Sequence, residues 1–387
     1  MSDKIQTGAA APAASGEGQR KISGKNVFKI AGSIIGFMIG AGFATGQETL
    51  QYYTSEGLWG LGGVIIAYAF VFWLFYCFMS TGSRTGLRHS REVFQYYCGK
   101  YLGWFYEVLA VLALFFVTTT MIAGVGAIVA QYFGLPDVAG RAIVALLMML
   151  SVLLGLSKML NVLGPIGPII VIGLIVIGAI ALFSNLQGLE RVNDFIAAAD
   201  PPMMKASAFW WLSGILYGIM NIYPLASFGT ALGSDATSKK EAIIAALVGC
   251  IALALGALFI TLSQLANLDV VVGQDIPTLA LAAKYAPAIT SIFGIILLLG
   301  IYTTVTPNAW AFAQAFGDDH TKKFIAAAIF MGVGSFVVSF LPYGALLNLI
   351  YPLLGWAAYL MVACMLVKHI WLFVKKHRGG DGDKAAE

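Results

Sequence analysis

The chain alternates between long apolar runs and short polar connectors. A membrane-spanning helix needs about 20 mostly apolar residues. Ten runs fit this requirement, at roughly residues 26–53, 58–80, 101–133, 138–157, 161–184, 207–233, 241–266, 288–315, 323–341 and 344–373. We number them spans 1 to 10. The segment 267–287 between spans 7 and 8 is more polar, and we expect a short helix packed at the surface there. The pattern predicts an all-α polytopic membrane protein with ten transmembrane helices.

Composition and chain ends agree with this prediction. The 387 residues are 59% hydrophobic and only 11% charged, which excludes the soluble globular classes. Residues 1–24 are small and polar and predict a disordered N-terminal tail. Residues 25–373 form the predicted transmembrane domain, and residues 374–387 a short C-terminal tail. The partners expected from this organisation are the lipid bilayer and a small molecule, with no nucleic acid.

Basic residues predict the orientation. With the N-terminus in the cytoplasm, one set of Lys and Arg residues falls on the cytoplasmic side, namely Lys21, Lys25, Lys29, Arg84, Arg88, Arg91, Lys158, Lys239, Lys240, Lys322, Lys323, Lys368, Lys375, Lys376 and Arg378. Far fewer fall outside, namely Arg141, Arg191, Lys205 and Lys284. The positive-inside rule therefore predicts that both termini lie in the cytoplasm. We expect the membrane itself to be a bacterial-type cytoplasmic (inner) membrane.

Span 1 contains a glycine-rich centre, within the stretch GSIIGFMIGAGFATGQE. Glycine is a poor helix former, so Gly40, Ala41 and Gly42 favour a break at mid-membrane. Such a break is tolerated only inside the protein or along a watery cavity, where the freed backbone groups can bind a ligand. The alternative is a small-residue stripe for close helix packing, because Gly32 and Gly36 precede Gly40 at intervals of four.

Span 6 reads WWLSGILYGIMNIYPLASFGTALG and carries a second candidate break. Pro224 removes a backbone donor near the middle, next to Gly218 and Asn221, although a simple proline kink is the alternative. If the chain consists of two halves of five spans, span 6 corresponds to span 1. The fold class predicted here is thus a 5+5 inverted repeat, about 25–184 and 207–373, with broken helices 1 and 6.

Span 8 offers oxygen ligands at mid-depth. Gly300, Thr303 and Thr304 lie on one face, one turn apart. Two hydroxyls and a helix carbonyl are hard ligands of the kind that Na⁺ requires, and carbonyls released by the break in span 1 could complete the site. The alternative is that the threonines bond carbonyls of their own helix and have no function.

These three features together resemble a transporter superfamily. The residues IGAGF at 39–43, the broken span 6 and the Gly-x-x-Thr-Thr of span 8 are similar to the amino acid–polyamine–organocation superfamily, which has the leucine-transporter-type fold. The longer stretch IGAGFATGQE resembles the YkvI-type bacterial membrane proteins more closely. The resemblance covers roughly residues 25–373.

The resemblance implies two sets of site residues. Its sodium site would take backbone carbonyls and side-chain hydroxyls from positions matched by Gly36, Ile39, Gly300, Thr303 and Thr304. Its substrate site would be formed by Gly40, Ala41, Gly42, Phe43, Thr119, Tyr217, Gly218, Asn221 and Tyr223. Thr119 stands for a run of three threonines in span 3, any one of which could face the site.

Two carboxylates lie within the spans. Glu48 follows the break in span 1, and Glu107 lies in the predicted cytoplasmic third of span 3. Membrane carboxylates are rare enough to be functional candidates, here as gates, amine ligands or proton carriers. The alternatives are a solvated vestibule residue for Glu48 and an interface residue at a helix end for Glu107.

The residues therefore predict a secondary symporter of a small amino acid or related zwitterion. Na⁺ is the expected coupling ion, and no cofactor is expected. The substrate residues include no fixed charge at the centre, which suits a near-neutral zwitterion. One alternative is a proton-coupled or exchange transporter of amines or polyamines, with Glu48 or Glu107 titrating; another is a ligand sensor built on a transporter scaffold. We find no GxSxG, HExxH or P-loop signature, so no enzyme is expected.

Overall fold

The computed structural model describes residues 22–87, 90–198, 203–274, 276–341, 358–371 and 374. In this part of the chain every regular element is helical. Most of the predicted N-terminal tail, the first half of span 10 and nearly all of the predicted C-terminal tail lie outside the described residues.

The first half of the chain forms seven α-helices. They are α1 (Gly24–Met38), α2 (Ala41–Thr45), α3 (Gln47–Tyr52), α4 (Gly60–Thr85), α5 (Ser90–Phe133), α6 (Asp137–Val152) and α7 (Leu156–Ser184). A 3₁₀ turn, Thr54–Trp59, leads into α4. Helix α5 contains span 3 and, before it, a shorter segment on the predicted cytoplasmic side. The two are separated at Gly99, which has a φ of 76°.

The second half contributes nine more helices within the described residues. They are α8 (Val192–Ala198), α9 (Trp210–Met220), α10 (Ile222–Asp235), α11 (Lys239–Ala266), α12 (Leu268–Val271), α13 (Pro277–Tyr285), α14 (Thr290–Gln314), α15 (Lys322–Val338) and α16 (Ala358–Trp371). The predicted surface helix in 267–287 is thus present, as the short helices α12 and α13.

Long apolar helices support a membrane protein. Five are long and apolar enough to cross a bilayer, and α9 with α10 make a sixth if the bent pair is one span. Large apolar side chains such as Ile65, Ile172 and Ile251 face outward on these helices, where lipid can cover them. The count of ten spans and the inverted repeat remain predictions.

The predicted break in span 1 is present. Helix α1 ends at Met38, α2 begins at Ala41, and Gly40 between them is extended, with a ψ of 176°. A second interruption, which the sequence pattern did not indicate, separates α2 from α3 at Gly46. Gly46 has a φ of 84°, a left-handed conformation that glycine adopts without steric cost. Span 1 therefore consists of three helical pieces.

Span 6 is also broken where predicted. Helices α9 and α10 meet at Asn221 and are bent by 55°. Pro224 lies in the first turn of α10, where backbone N–H groups have no partner within the helix, so its missing donor costs little there. The proline therefore stands at the start of a new helix rather than inside a kinked one.

The packing interpretation of the glycine stripe is also correct for part of span 1. Helix α1 packs against α7 and α11. A methyl group on Gly32 would overlap the backbone of Gly164, and one on Gly167 would overlap the backbone of Gly32. The same segment thus serves close packing at Gly32 and a helix break at Gly40.

The surface helix α13 covers the broken part of span 1. The Thr278 hydroxyl donates to the Ala44 carbonyl at 2.8 Å, and Gln264 Nε2 of α11 donates to the Gly46 carbonyl at 2.8 Å. Gln264 Oε1 accepts in turn from the Thr54 hydroxyl at 2.7 Å. The bond from Thr278 gives the Ala44 carbonyl a partner outside span 1, and the bond from Gln264 adds to those that the Gly46 carbonyl accepts from Leu50 and Thr49 of α3.

Candidate functional site

Four of the five predicted sodium-site oxygens lie together between α1 and α14. The Thr303 hydroxyl is 3.0 Å from the Gly36 carbonyl and 2.8 Å from the Gly300 carbonyl. The Thr304 hydroxyl is 2.9 Å from the Gly36 carbonyl and 3.3 Å from that of Gly300. We call these four oxygens the oxygen cluster. The threonines do bond a carbonyl of their own helix, as the alternative held, but they also bridge to span 1.

The break in span 1 explains why the Gly36 carbonyl takes part. Gly36 lies in the last turn of α1, where a carbonyl oxygen has no N–H four residues ahead to accept from within the helix. Ile39, the fifth predicted ligand, is the first residue after the end of α1 and is fully buried. Its side chain lies next to Gly300, but no contact joins its carbonyl to the cluster within the described residues.

A small cavity lies beside the oxygen cluster. It has a volume of about 40 Å³ and is enclosed by residues of α1, α3, α5, α9, α10 and α14 with those of the two breaks. We call it the central cavity. Its lining consists of Phe37, Met38, Gly40, Glu48, Ala113, Leu114, Val117, Met121, Met220, Asn221, Tyr223, Pro224, Thr304 and Asn308.

Some predicted substrate residues reach this cavity and others do not. Those that line it are Gly40, Asn221 and Tyr223, together with Thr304 of the oxygen cluster. Those that lie elsewhere are Ala41, Gly42, Phe43, Thr119, Tyr217 and Gly218.

Packing explains why most of these residues do not line the cavity. The Glu48 side chain lies over Gly42, and Phe43 is fully buried near Gly256. The Thr119 hydroxyl donates to the Phe115 carbonyl at 2.8 Å, and span 3 presents Val117 and Met121 to the cavity instead.

Two predicted substrate residues of span 6, Tyr217 and Gly218, precede the part of the span that lines the central cavity. Tyr217 belongs to a tyrosine cluster, with ring centroids 5.5 Å from those of Tyr52 and Tyr53 and 5.9 Å from that of Tyr68. Gly218 packs against Phe70 of α4. On this span the cavity lining therefore begins at the break itself, with Met220 and Asn221.

Asn308 is the lining residue whose sequence signal was overlooked. It lies four residues after Thr304 on α14, so the two side chains share a helix face. An amide in an apolar span, one turn from a predicted ligand, is the signal that could have found it. Asn308 is buried, and its Oδ1 atom has no hydrogen-bond partner among the described residues.

Glu48 brings a carboxylate into the cavity, so the expectation of no fixed charge at the centre is wrong. Its side chain folds back from α3 over Gly42, and a methyl group on Gly42 would overlap Glu48 Oε1. The Tyr217 hydroxyl lies beside this carboxylate. Glu48 is partly accessible through the cavity and makes no ion pair within the described residues.

Glu107 lies away from the cavity. It is buried, and its Oε2 atom accepts a hydrogen bond of 2.7 Å from the Ser90 hydroxyl. This contact joins the two segments of α5 across the bend at Gly99. The structure therefore gives Glu107 a part in holding that bend and does not place it near the predicted substrate residues.

A larger cavity opens at the predicted cytoplasmic end. It has a volume of about 510 Å³ and lies between the ends of α1, α7, α10, α11 and α14. We call it the vestibule. Asp319 at its edge accepts from the backbone N–H of Leu156 at 2.9 Å and from Trp310 Nε1 at 2.8 Å. The vestibule thus lies at one end of the described helices, and α13 covers the broken part of span 1 toward the other.

Two curated relatives resemble this chain over most of their length. The uncharacterized membrane protein YkvI of Bacillus subtilis is 25% identical over 340 residues, covering 86% of this chain and 93% of the relative. The uncharacterized protein YyaD of the same organism is 24% identical over 339 residues, covering 86% and 94%. No protein-family model matches the chain.

Solved structures show the fold. A Na⁺-coupled sialic acid symporter, in a substrate-bound outward-open state, aligns with a TM-score of 0.66, 11% identity, and 88% of this chain and 78% of that one covered. Mhp1, a nucleobase-cation-symport-1 family transporter, aligns with a TM-score of 0.57 and 14% identity over 88% and 75%. A manganese transporter of Eremococcus coleocola aligns with a TM-score of 0.55 and 13% identity over 95% and 81%. The chain therefore has a transporter fold.

Proposed function

We propose that this protein is a secondary transporter that moves a small amino-bearing solute across the inner membrane and couples this movement to Na⁺. One observation carries the proposal: Thr304 belongs to the oxygen cluster and also lines the central cavity. An ion bound at the cluster would therefore share a residue with the solute. Shared contacts of this kind let the binding of one ligand favour the binding of the other.

The fold supports transport by alternating access. Two broken spans meet at the central cavity, and discontinuous helices of this kind typically form the substrate and ion sites of secondary transporters. The vestibule at one end and the cover of α13 over span 1 toward the other correspond to a conformation that faces the predicted cytoplasm. Rocking of one helix bundle against another would expose the cavity to the other side.

The oxygen cluster supports a hard, monovalent ion. Its four oxygens are neutral carbonyls and hydroxyls separated by 2.8 to 3.3 Å. Each hydroxyl would turn its proton away from the centre and present a lone pair when a cation binds. The sequence favours a small amino acid or related zwitterion as the solute, and a cavity of about 40 Å³ supports a small one.

A second candidate function is proton-coupled or exchange transport of amines. It is favoured by the presence of Glu48 in the central cavity, because a carboxylate there could exchange a proton during the transport cycle. The coupling ion distinguishes the two candidates.

Thermal unfolding of the purified protein in detergent tests the proposed function. We expect small amino acids or amines to raise the unfolding midpoint in NaCl but not in KCl of equal ionic strength, since a ligand stabilises the state that binds it. Thr304→Val removes one cluster oxygen and should raise the half-saturating Na⁺ concentration about tenfold or more.

Thr306→Val is the matched control. The Thr306 hydroxyl bonds the Tyr302 carbonyl of its own helix at 2.8 Å and does not belong to the cluster. Its Na⁺ dependence should equal that of the wild type. Equal ligand shifts in both salts, or an unchanged Na⁺ dependence in Thr304→Val, would contradict sodium coupling and favour the second candidate.

A further inference from the structure

The central cavity presents hydrogen-bond acceptors to its contents. Asn308 Oδ1 is buried without a partner among the described residues. Asn221 donates a hydrogen bond from its side-chain Nδ2 to the Tyr217 carbonyl at 2.8 Å, so its side-chain oxygen Oδ1 is available to a ligand. Glu48 adds a carboxylate to the same lining. These acceptors require a ligand that donates several hydrogen bonds.

The cavity also lacks a positive charge. Its lining includes no Lys, Arg or His within the described residues, and Glu48 forms no ion pair there. The undescribed segment 342–357 contains none of these residue types in its sequence. A carboxylate inside the membrane is costly unless it is paired or neutralised. A cationic solute would supply the missing partner.

A solute carboxylate would be poorly placed in this cavity. A zwitterion would be expected to place its acidic group against the backbone N–H groups freed around Gly40, Ala41 and Gly42. The Glu48 side chain covers Gly42, however, so a second carboxylate there would meet a like charge at short range. The geometry favours a solute with a positive group and no acidic group.

We propose that Glu48 binds the ammonium group of the transported solute, and that this solute is a small amine with a net positive charge. This inference rests on the proposed transport function and narrows its substrate class. The ammonium group donates to the Glu48 carboxylate and to the side-chain carbonyls of Asn221 and Asn308. The rings of Phe37 and Tyr223 in the lining provide apolar and cation–π contacts for the rest of the molecule.

Matched pairs of ligands test the charge requirement. Ethylamine is compared with alanine, and ethanolamine with serine, because each pair differs only by the carboxylate. Binding is measured as the shift in the unfolding midpoint of the full-length protein in NaCl. We expect each amine to bind at least about tenfold more tightly than its amino acid, as one like-charge contact costs that much.

The Glu48→Gln variant tests whether the Glu48 carboxylate binds the amine. The variant keeps the shape of the side chain and removes its charge, and we expect amine affinity to fall about tenfold to a hundredfold. Glu48→Asp keeps the charge on a shorter side chain and should retain part of the affinity. Glu190→Gln removes an exposed carboxylate from a 3₁₀ turn far from the cavity and should leave amine affinity unchanged. The unfolding midpoint without ligand shows whether each variant folds.

Three outcomes overturn the inference. The first is wild-type amine affinity in Glu48→Gln. The second is tighter binding of the amino acid than of its matching amine, or no amine binding at all. The third is a higher Na⁺ requirement in Glu48→Gln for every ligand alike, which would make Glu48 a ligand of the ion rather than of the solute.

The same experiments distinguish a failure of the proposed function from a failure of the amine inference. If amino acids or neutral solutes bind in a Na⁺-dependent way and amines do not, the transporter proposal stands and the amine inference falls. If no small solute shifts the unfolding midpoint in either salt, both fall. If amines bind equally in NaCl and in KCl and Glu48→Gln abolishes that binding, the amine inference stands without sodium coupling.

Discussion

Gly42 controls the position of the Glu48 carboxylate. A methyl group at residue 42 would overlap Glu48 Oε1, Cγ and Cδ. The obstructing atoms belong to a flexible side chain, so Gly42→Ala should displace Glu48 while the helices around it keep their places. We expect the variant to fold with a midpoint close to that of the wild type and to lose amine binding about tenfold or more.

Gly24→Ala is the control for this substitution, because nothing lies within 4 Å of a methyl group there. Both variants are measured by amine titration of the unfolding midpoint, and by Na⁺ titration in parallel. Retained amine affinity in Gly42→Ala would mean that the Glu48 carboxylate can bind its ligand from another rotamer. Loss of the Na⁺ response would mean that the substitution disturbs the oxygen cluster as well.

At the scale of single residues, the sequence predicted contacts best where spacing along one helix decides which side chains share a face. Thr303 and Thr304 could be placed because both lie on the uninterrupted α14, where spacing fixes the shared face. Tyr217 and Thr119 were placed in the substrate site by depth alone, and their facing was wrong. Glu48 could not be placed, because its path into the cavity depends on a turn at Gly46 that no spacing rule predicts.

At the scale of helices, the backbones of α1 and α7 come into close contact at Gly32. Gly32→Ala would press a methyl group against the Gly164 carbonyl, which belongs to the backbone and cannot rotate away. We expect the two helices to separate, at a cost of about 1–3 kcal/mol in the free energy of unfolding. The unfolding midpoint in detergent without ligand measures this effect.

Gly332→Ala is the matched control for the helix contact. The atoms within reach of a methyl group at residue 332 belong to the side chain of Met149, at 3.3 to 3.5 Å, and this flexible side chain can adjust. Its midpoint should stay near that of the wild type. Equal midpoints for both variants would show that α1 and α7 can separate without loss, contrary to the close packing of their backbones.

The positions of the breaks followed from composition, but their surroundings did not. Glycine at the centre of span 1 and Pro224 in span 6 identify poor helical positions directly, since both act through the local backbone. The hydrogen bonds of α13 to Ala44 and of α11 to Gly46 depend on Thr278 and Gln264, which are more than 200 residues away in the chain. Contacts of such separation are a property of the tertiary fold.

At the scale of the whole molecule, the basic residues and the vestibule make the same prediction about sidedness. The Lys and Arg distribution places the ends of α1 and α14 that border the vestibule in the cytoplasm. A transporter that faces the cytoplasm should admit water and small reagents from that side alone. The orientation of the protein and the accessibility of the vestibule can therefore be tested in one experiment.

Cysteine labelling with a membrane-impermeant maleimide tests both. Ser157 and Leu160 line the vestibule, and Asn193 is exposed near the predicted extracellular end. We expect Ser157→Cys and Leu160→Cys to react in inside-out vesicles and Asn193→Cys to react in intact cells. Leu253→Cys, at a fully buried position outside both cavities, should react in neither. The wild-type protein gives the background of the four native cysteines.

Reaction of Ser157→Cys in intact cells would show that the orientation is opposite to the predicted one. Reaction of Ser157→Cys but not Leu160→Cys in inside-out vesicles would keep the orientation and show that the vestibule is closed in the membrane, so that the inward-facing conformation does not predominate there.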